Sequence, residues 1–290
     1  ASAALLARYG LDGGFSPIGL SAWRLTVAST ALILFQLFER VAKPSNTQHP
    51  TPNTADPWRL LTAGLFLAIH FATWIASLEY VSVARSTLLV ATSPLWAGLV
   101  GLFVPALRPR PIFWLGLLVA GGGTILVTSQ GLTTAVHKDP AWLGDLLAVV
   151  GAICIVPYLL LSQQVQTRLG TLRTVTWIYS AAAASLLLFL IPEGQLTLPR
   201  SPQVWGSIVG MAIFAQLIGH SSLNYCLKHF TAAQVATASL LEPVFASALA
   251  WAFLSERVTL LQTLGGVVLL VGVSVCLKAE PESAVLPAAD

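Results

Sequence analysis

His70, Trp74 and Ser77 fall at i, i+4 and i+7 of one long apolar stretch, so they share one face of a helix. Gln216, His220 and Asn224 do the same at i, i+4 and i+8 of a second stretch. Lipid offers no hydrogen-bond partner, so polar side chains in such stretches turn toward the bundle interior or a wet cavity. Two such faces, if they meet, would line a central cavity. The polar groups would bond the amino and carboxylate ends of a ligand, and Trp74 would pack on its side chain. The competing use of the same residues is interhelical hydrogen bonding, worth about 0.6 kcal/mol per contact.

A third apolar stretch adds Cys154, Pro157, Tyr158 and Ser162. Tyr158 lies in mid-span, away from the interfacial belt that Tyr prefers, which fits either a cavity wall or a buried hydrogen bond. Pro157 withholds a backbone donor from the carbonyl of Ile153 and is a candidate hinge or a packing bend. Pro94 and Pro243 do the same to Val90 and Ser239. Glu242, beside Pro243, is a carboxylate in mid-span. It could take up and release a proton, meet a ligand's amine, or cap the broken turn. Arg24 lies about two turns into its span and is expected to snorkel outward or to pair with Asp12 or Glu79, the alternative being to bind a substrate carboxylate. Cys154, Cys226 and Cys276 stand alone, without a CxxC pair or a His/Cys cluster, and read as buried small hydrophobes. No metal or cofactor is expected. An intramembrane enzyme would need a nucleophile with its base, or a metal cluster, and the spacings supply neither.

Long apolar segments must hold these residues in place. The chain has 290 residues, 56% hydrophobic and only 9% charged, with a net charge of +3. Soluble domains carry about 25% charged residues, so most of this surface does not face water. The apolar runs are long and do not alternate, which predicts membrane-spanning helices and excludes a barrel. There is no basic patch for nucleic acid and no cleavable signal pattern. Residues 1–7 are too short to span and read as the end of a first helix, with loop signals from Leu11 to Gly14. Further spans are predicted at residues 17–38, 58–78, 82–104 and 112–129, then at 142–162, 172–191, 204–226, 231–254 and 260–277. A proline-rich linker occupies residues 39–57, and a disordered polar tail follows the last span.

A shift of 149 positions superposes residues 226–276 on residues 77–127 without a gap. Pro94 falls on Pro243, Arg108 on Arg257, Gly116 on Gly265 and Gly123 on Gly272, with Leu78, Ala84, Ala97, Leu115 and Val119 also matched. These landmarks in one register point to an internal duplication. Ten helices, five per half, place the halves in opposite directions. Inverted repeats are a transporter signature with the substrate site near the midplane. With the N-terminus inside, nine inner cations (Arg40, Lys43, Arg59, Arg108, Arg110, Arg168, Arg173, Lys228, Lys278) face five outer ones (Arg8, Arg85, Lys138, Arg200, Arg257), which favours both termini in the cytoplasm.

The prolines within LLVATSPLWAGL and ASLLEPVFASAL resemble the drug/metabolite transporter superfamily, EamA type. So do Leu254-Ser255-Glu256-Arg257, Ala22-Trp23-Arg24 and the Gly265 to Gly272 packing face. In the first half, Pro105-Ala106-Leu107-Arg108 replaces the family's Leu-x-Glu corner. The resemblance covers nearly the whole chain, and within the family it is nearest to the YddG-type exporters of aromatic and other amino acids. It implies an all-α integral membrane protein with EamA-type repeats at residues 1–130 and 140–278, and a cytoplasmic tail at 279–290. It further implies export of amino acids or similar small metabolites through the bacterial inner membrane by alternating access, without a cofactor. The chain would act as a monomer, an oligomer being left open. A proton-coupled drug exporter of the same fold is the alternative.

Overall fold

Proline opens several of the helices, where its missing N–H forfeits no intrahelical bond. The computed structural model describes residues 2–42, 56–129, 138–192, 196–245 and 259–279, and these residues are helix and turn, with no strand among them. The helices in order are α1 (Ser2–Asp12), α2 (Pro17–Ala42), α3 (Asp56–Ser77), α4 (Val83–Phe103), α5 (Pro111–Thr128), α6 (Ala141–Leu169), α7 (Thr171–Leu190), α8 (Pro202–Cys226), α9 (beginning Ala232–Ala238) and α10 (Leu260–Ala279). Eight of them, all but α1 and α9, are long and apolar enough to cross a membrane. The remainder of the expected ninth span, the Glu256-Arg257 corner, the middle of the proline-rich linker and most of the tail lie outside the described residues.

Four elements differ from the sequence reading, the first being α2, which continues a turn past residue 38 to Ala42, into the segment expected as linker. α1 continues through Tyr9 and Gly10 to Asp12, where a loop was expected. α6 runs two turns beyond residue 162. Its Gln163, Gln166 and Arg168 look like a polar exit in sequence, but they dock on neighbours. Gln163 Nε2 donates to the carbonyls of Leu227 (3.2 Å) and Phe230 (2.9 Å), and Gln166 Nε2 to that of Asn224 (2.6 Å). In this way the extra turns bind carbonyls at the end of α8 and just beyond it. α8, predicted as a plain span, takes π-helical hydrogen bonding over Met211–His220.

α3 is the central post, packed on α2, α6 and α7. Small residues bring it close: a Cβ on Gly64 would lie 2.5 Å from Ala181 Cβ, and one on Gly144 would lie 2.6 Å from Tyr80 Cβ. α5 and α10 approach even more tightly. A Cβ on Gly123 would meet Leu269 N at 2.3 Å, and one on Gly272 would meet Ala120 N at 2.3 Å. Gly121 and Gly122 face open space, so within the triple-glycine run the close approach belongs to Gly123 alone. On the outside, Phe103, Leu118 and Leu188 leave large apolar side chains exposed, a surface suited to lipid and not to water.

Ion pairs tie both ends of the antiparallel α3 and α6. At one end Arg168 of α6 binds Asp56, which Arg59 also approaches at 3.6 Å. At the other, Lys138 reaches Glu79 at 2.8 Å, and Arg85 grips Asp145 with two bonds of 2.7 and 2.5 Å.

Candidate functional site

The two proline-marked helices are interrupted at the same register. α4 consists of Val83–Val90 and Ser93–Phe103, with the turn at Ala91 and Thr92. α9 passes from Ala232–Ala238 into a 3-10 turn at Ser239–Leu241, and helix resumes at Glu242. In each case the proline is the second residue of the resumed segment, where an absent N–H is tolerated. Thr92 Oγ1 donates to the carbonyl of Leu89 (2.6 Å) and Thr237 Oγ1 to that of Ala233 (2.8 Å) beside the two breaks. Pro157 has a different outcome, since α6 runs through it without a break.

Between these interruptions lies a cavity of about 400 Å³, within the size range of small-molecule sites. Its walls include pairs of positions 149 apart: His70 and Gly219, Trp74 and Leu223, Val90 and Ser239, Ser93 and Glu242. Ile155 and Leu159 of α6 and Ser2 and Ala3 of α1 also line it. An aromatic wall runs along one side. The His70 and Trp74 rings are nearly parallel with centroids 6.1 Å apart, and His70 lies 6.3 Å from His220. His70 Nδ1 is within 2.8 Å of the Gly151 carbonyl, which favours the tautomer that donates from Nδ1 and fixes the ring.

Four of the eight candidate binding residues therefore reach the cavity wall: His70, Trp74, His220 and Glu242. The other four are engaged between helices. Ser77 Oγ bonds the Trp74 carbonyl and Ser86 Oγ, both at 2.6 Å. Asn224 donates to Tyr158 Oη and to the His220 carbonyl, and accepts from Ser162 Oγ. Gln216 is wholly buried against α2. The equal spacing of Gln216, His220 and Asn224 suggested one common face. In the folded bundle the three turn to different partners, because the flanking helices α2 and α6 wrap α8 from different sides.

Arg24 overturns its sequence reading. It is fully buried, neither snorkelling outward nor paired with Asp12 or Glu79: Asp12 is held by Arg8 at 3.3 Å, and Glu79 by Lys138. Its guanidinium lies over the Phe71 ring, 3.8 Å from the centroid, and Nη2 donates to Gln216 Oε1 at 2.6 Å. The three cysteines are free thiols; Cys154 and Cys276 are buried as expected, and Cys226 is only partly buried. Among the described residues no group of His, Cys, Asp and Glu is arranged to hold a metal ion.

The EamA-like transporter family matches residues 1–129 and again residues 142–277. The uncharacterized transporter YyaM of Bacillus subtilis is 25% identical over 271 residues, covering 92% of this chain and 86% of that protein. YdfC of the same species, also an uncharacterized transporter, is 27% identical over 269 residues, 92% of this chain and 83% of the relative. The pseudopaline exporter CntI of Pseudomonas aeruginosa is 26% identical over 213 residues, 73% of this chain and 72% of its own. A solved crystal structure at 20% identity superposes with a TM-score of 0.70 over 96% of this chain and 95% of the other, a likeness of fold.

Proposed function

Because the chain belongs to the EamA-like transporter family, a family of membrane transporters, we propose that it exports amino acids, aromatic ones among them, or similar small metabolites by alternating access. The supporting observation is the cavity walled by positions 149 apart and flanked by two interrupted helices. Two five-helix repeats inserted in opposite directions would put such a cavity on their shared axis, where carriers of this kind hold substrate. CntI, a relative that exports pseudopaline, supports the outward direction. In this reading the chain is a carrier and not an enzyme. It sits as a monomer in a bacterial inner membrane with both termini in the cytoplasm.

The chemistry follows from the wall. His70 and Trp74 offer a flat aromatic surface to a substrate side chain, worth about 1 kcal/mol beyond burial for an aromatic partner. Glu242 presents a carboxylate to an amine. The breaks before Pro94 and Pro243 let the two halves of α4 and α9 change their angle as the cavity opens to one side and then the other. The ion pairs at the two ends of α3 and α6 hold these helices together, so one end can part while the other stays closed.

Uptake of labelled Trp, Phe, Met and Thr into proteoliposomes, with and without a pH gradient, tests the proposal. Saturable uptake of an amino acid supports it. Entry of a lipophilic cation with no amino acid carried would overturn it in favour of a proton-coupled drug exporter, the reading that the placement of Glu242 on the cavity wall also serves. Uptake that needs the gradient and vanishes in Glu242→Gln would make Glu242 the coupling group.

A further inference from the structure

Next to the cavity the protein carries more hydrogen-bond donors than acceptors. Arg24 is 0% exposed, and its Nε and Nη1 meet no acceptor among the described residues. Gln216 spends its oxygen on Arg24, and its Nε2 has no well-formed hydrogen bond, the buried Tyr179 hydroxyl being the neighbour that both Gln216 and Arg24 feel. Trp74 Nε1 and His220 Nδ1 are likewise buried and unpartnered. Asp12, Asp56, Glu79 and Asp145 each pair with a different cation, and none is paired with Arg24. A buried guanidinium without a counter-charge is costly to keep, and so are buried donors without acceptors. What the cluster lacks is a negatively charged group rich in acceptor oxygens.

The partition between Arg24 and the cavity is thin. Phe71 lies beneath the guanidinium, and its ring meets the His220 ring edge-on at 5.0 Å, while His220 itself lines the cavity. Phe71 and His220 are the two rings between the guanidinium and whatever occupies the cavity, and both must turn for the two to meet.

We infer that Arg24, with Gln216 and His220 beside it, is a carboxylate subsite adjoining the cavity that receives the acidic end of the substrate. A carboxylate suits it because its two oxygens each accept from guanidinium N–H groups, a geometry that ammonium side chains do not match. The inference rests on the transporter reading of the cavity and narrows the substrate class to molecules bearing a carboxylate. An organic amine without one would be refused, since it would face an uncompensated positive charge.

Thermal unfolding of the purified full chain in detergent tests this with three probes sharing one ring: L-phenylalanine, 3-phenylpropionate and phenethylamine. The first two are expected to raise the midpoint by about 3 °C or more at saturation and phenethylamine is not. Arg24→Gln should abolish both shifts, and Arg24→Lys should keep part of them. The ligand-free Arg24→Gln protein should be at least as stable as wild type, because an unpaired buried charge has been removed. Undiminished carboxylate shifts in Arg24→Gln, or phenethylamine binding as well as phenylalanine, would overturn the subsite. If 3-phenylpropionate binds through Arg24 and phenylalanine does not, the subsite stands and the amino-acid reading fails. If no probe shifts wild type, the ligand-free comparison decides. A less stable Arg24→Gln protein overturns the subsite, and an equally or more stable one upholds it and places the failure in the choice of amino acids.

Discussion

The site's side chains divide into those that touch the cavity and those that bind helices together, and the two groups should respond differently to mutation. Tyr158 is fully buried and bonded to Asn224, off the cavity wall. Tyr158→Phe is expected to cost about 0.6 kcal/mol of stability, read by chemical denaturation, and to leave transport unchanged. Asn224→Ala removes a donor to Tyr158 and an acceptor for Ser162 together, and should cost about 2 kcal/mol. Trp74→Ala, on the wall, should instead lower uptake about tenfold at high substrate dilution, on top of the roughly 3 kcal/mol of stability that truncating a side chain only 7% exposed removes. If Tyr158→Phe abolished transport, Tyr158 would have to be counted with the binding residues.

Among the helices, the closest approach is between α5 and α10, and it depends on particular glycines. Gly123→Leu and Gly272→Leu would drive a side chain into backbone atoms 2.3 Å from the new Cβ and should destabilise by about 3 kcal/mol or prevent folding. Gly121→Ala and Gly122→Ala, which face open space, should be neutral or slightly stabilising through helix propensity. The contrast can be read by unfolding each variant in detergent. The breaks in α4 and α9 make a kinetic prediction. Pro94→Ala and Pro243→Ala should slow turnover about tenfold with substrate affinity kept, as expected where a flexible joint limits the cycle. Turnover at the wild-type rate would reduce the prolines to a static bend.

On the scale of the whole molecule, orientation is the open variable that labelling decides. Lys138, bonded to Glu79, and Lys278 at the end of α10 should lie on opposite sides of the membrane if the loop charges set the topology. Single cysteines at these positions, in a background with Cys154, Cys226 and Cys276 replaced, should react with a membrane-impermeant reagent from outside for Lys138→Cys and only after lysis for Lys278→Cys. The reverse result would invert the assignment of both ends. The hydrogen bond to Glu79 holds the Lys138 ammonium above the ordinary lysine range. That contribution to stability is present at neutral pH and is lost only as pH rises through the raised value, so acidification to mildly acid pH should leave this link intact.

Much of the architecture was legible without coordinates, because lipid permits so few solutions. Apolar runs of about 20 residues must be helices, and a gap-free shift of 149 positions with matched prolines and glycines marked where helices would break and where they would touch. The breaks before Pro94 and Pro243, and the Gly116, Gly123, Gly265 and Gly272 contacts, are local backbone and size effects that a sequence carries in itself. The destinations of the polar side chains were not legible in this way. Helical spacing gives a common face but not its neighbour, so Ser77, Gln216 and Asn224 read like His70 and His220 until α4, α2 and α6 were seen to claim them in turn. Arg24 shows the limit most clearly. A charge near a helix end is expected to reach for water, and only the packing of α2 against Phe71 and Gln216 turned it inward. Burial depends on which surfaces meet, and that is decided by tertiary structure.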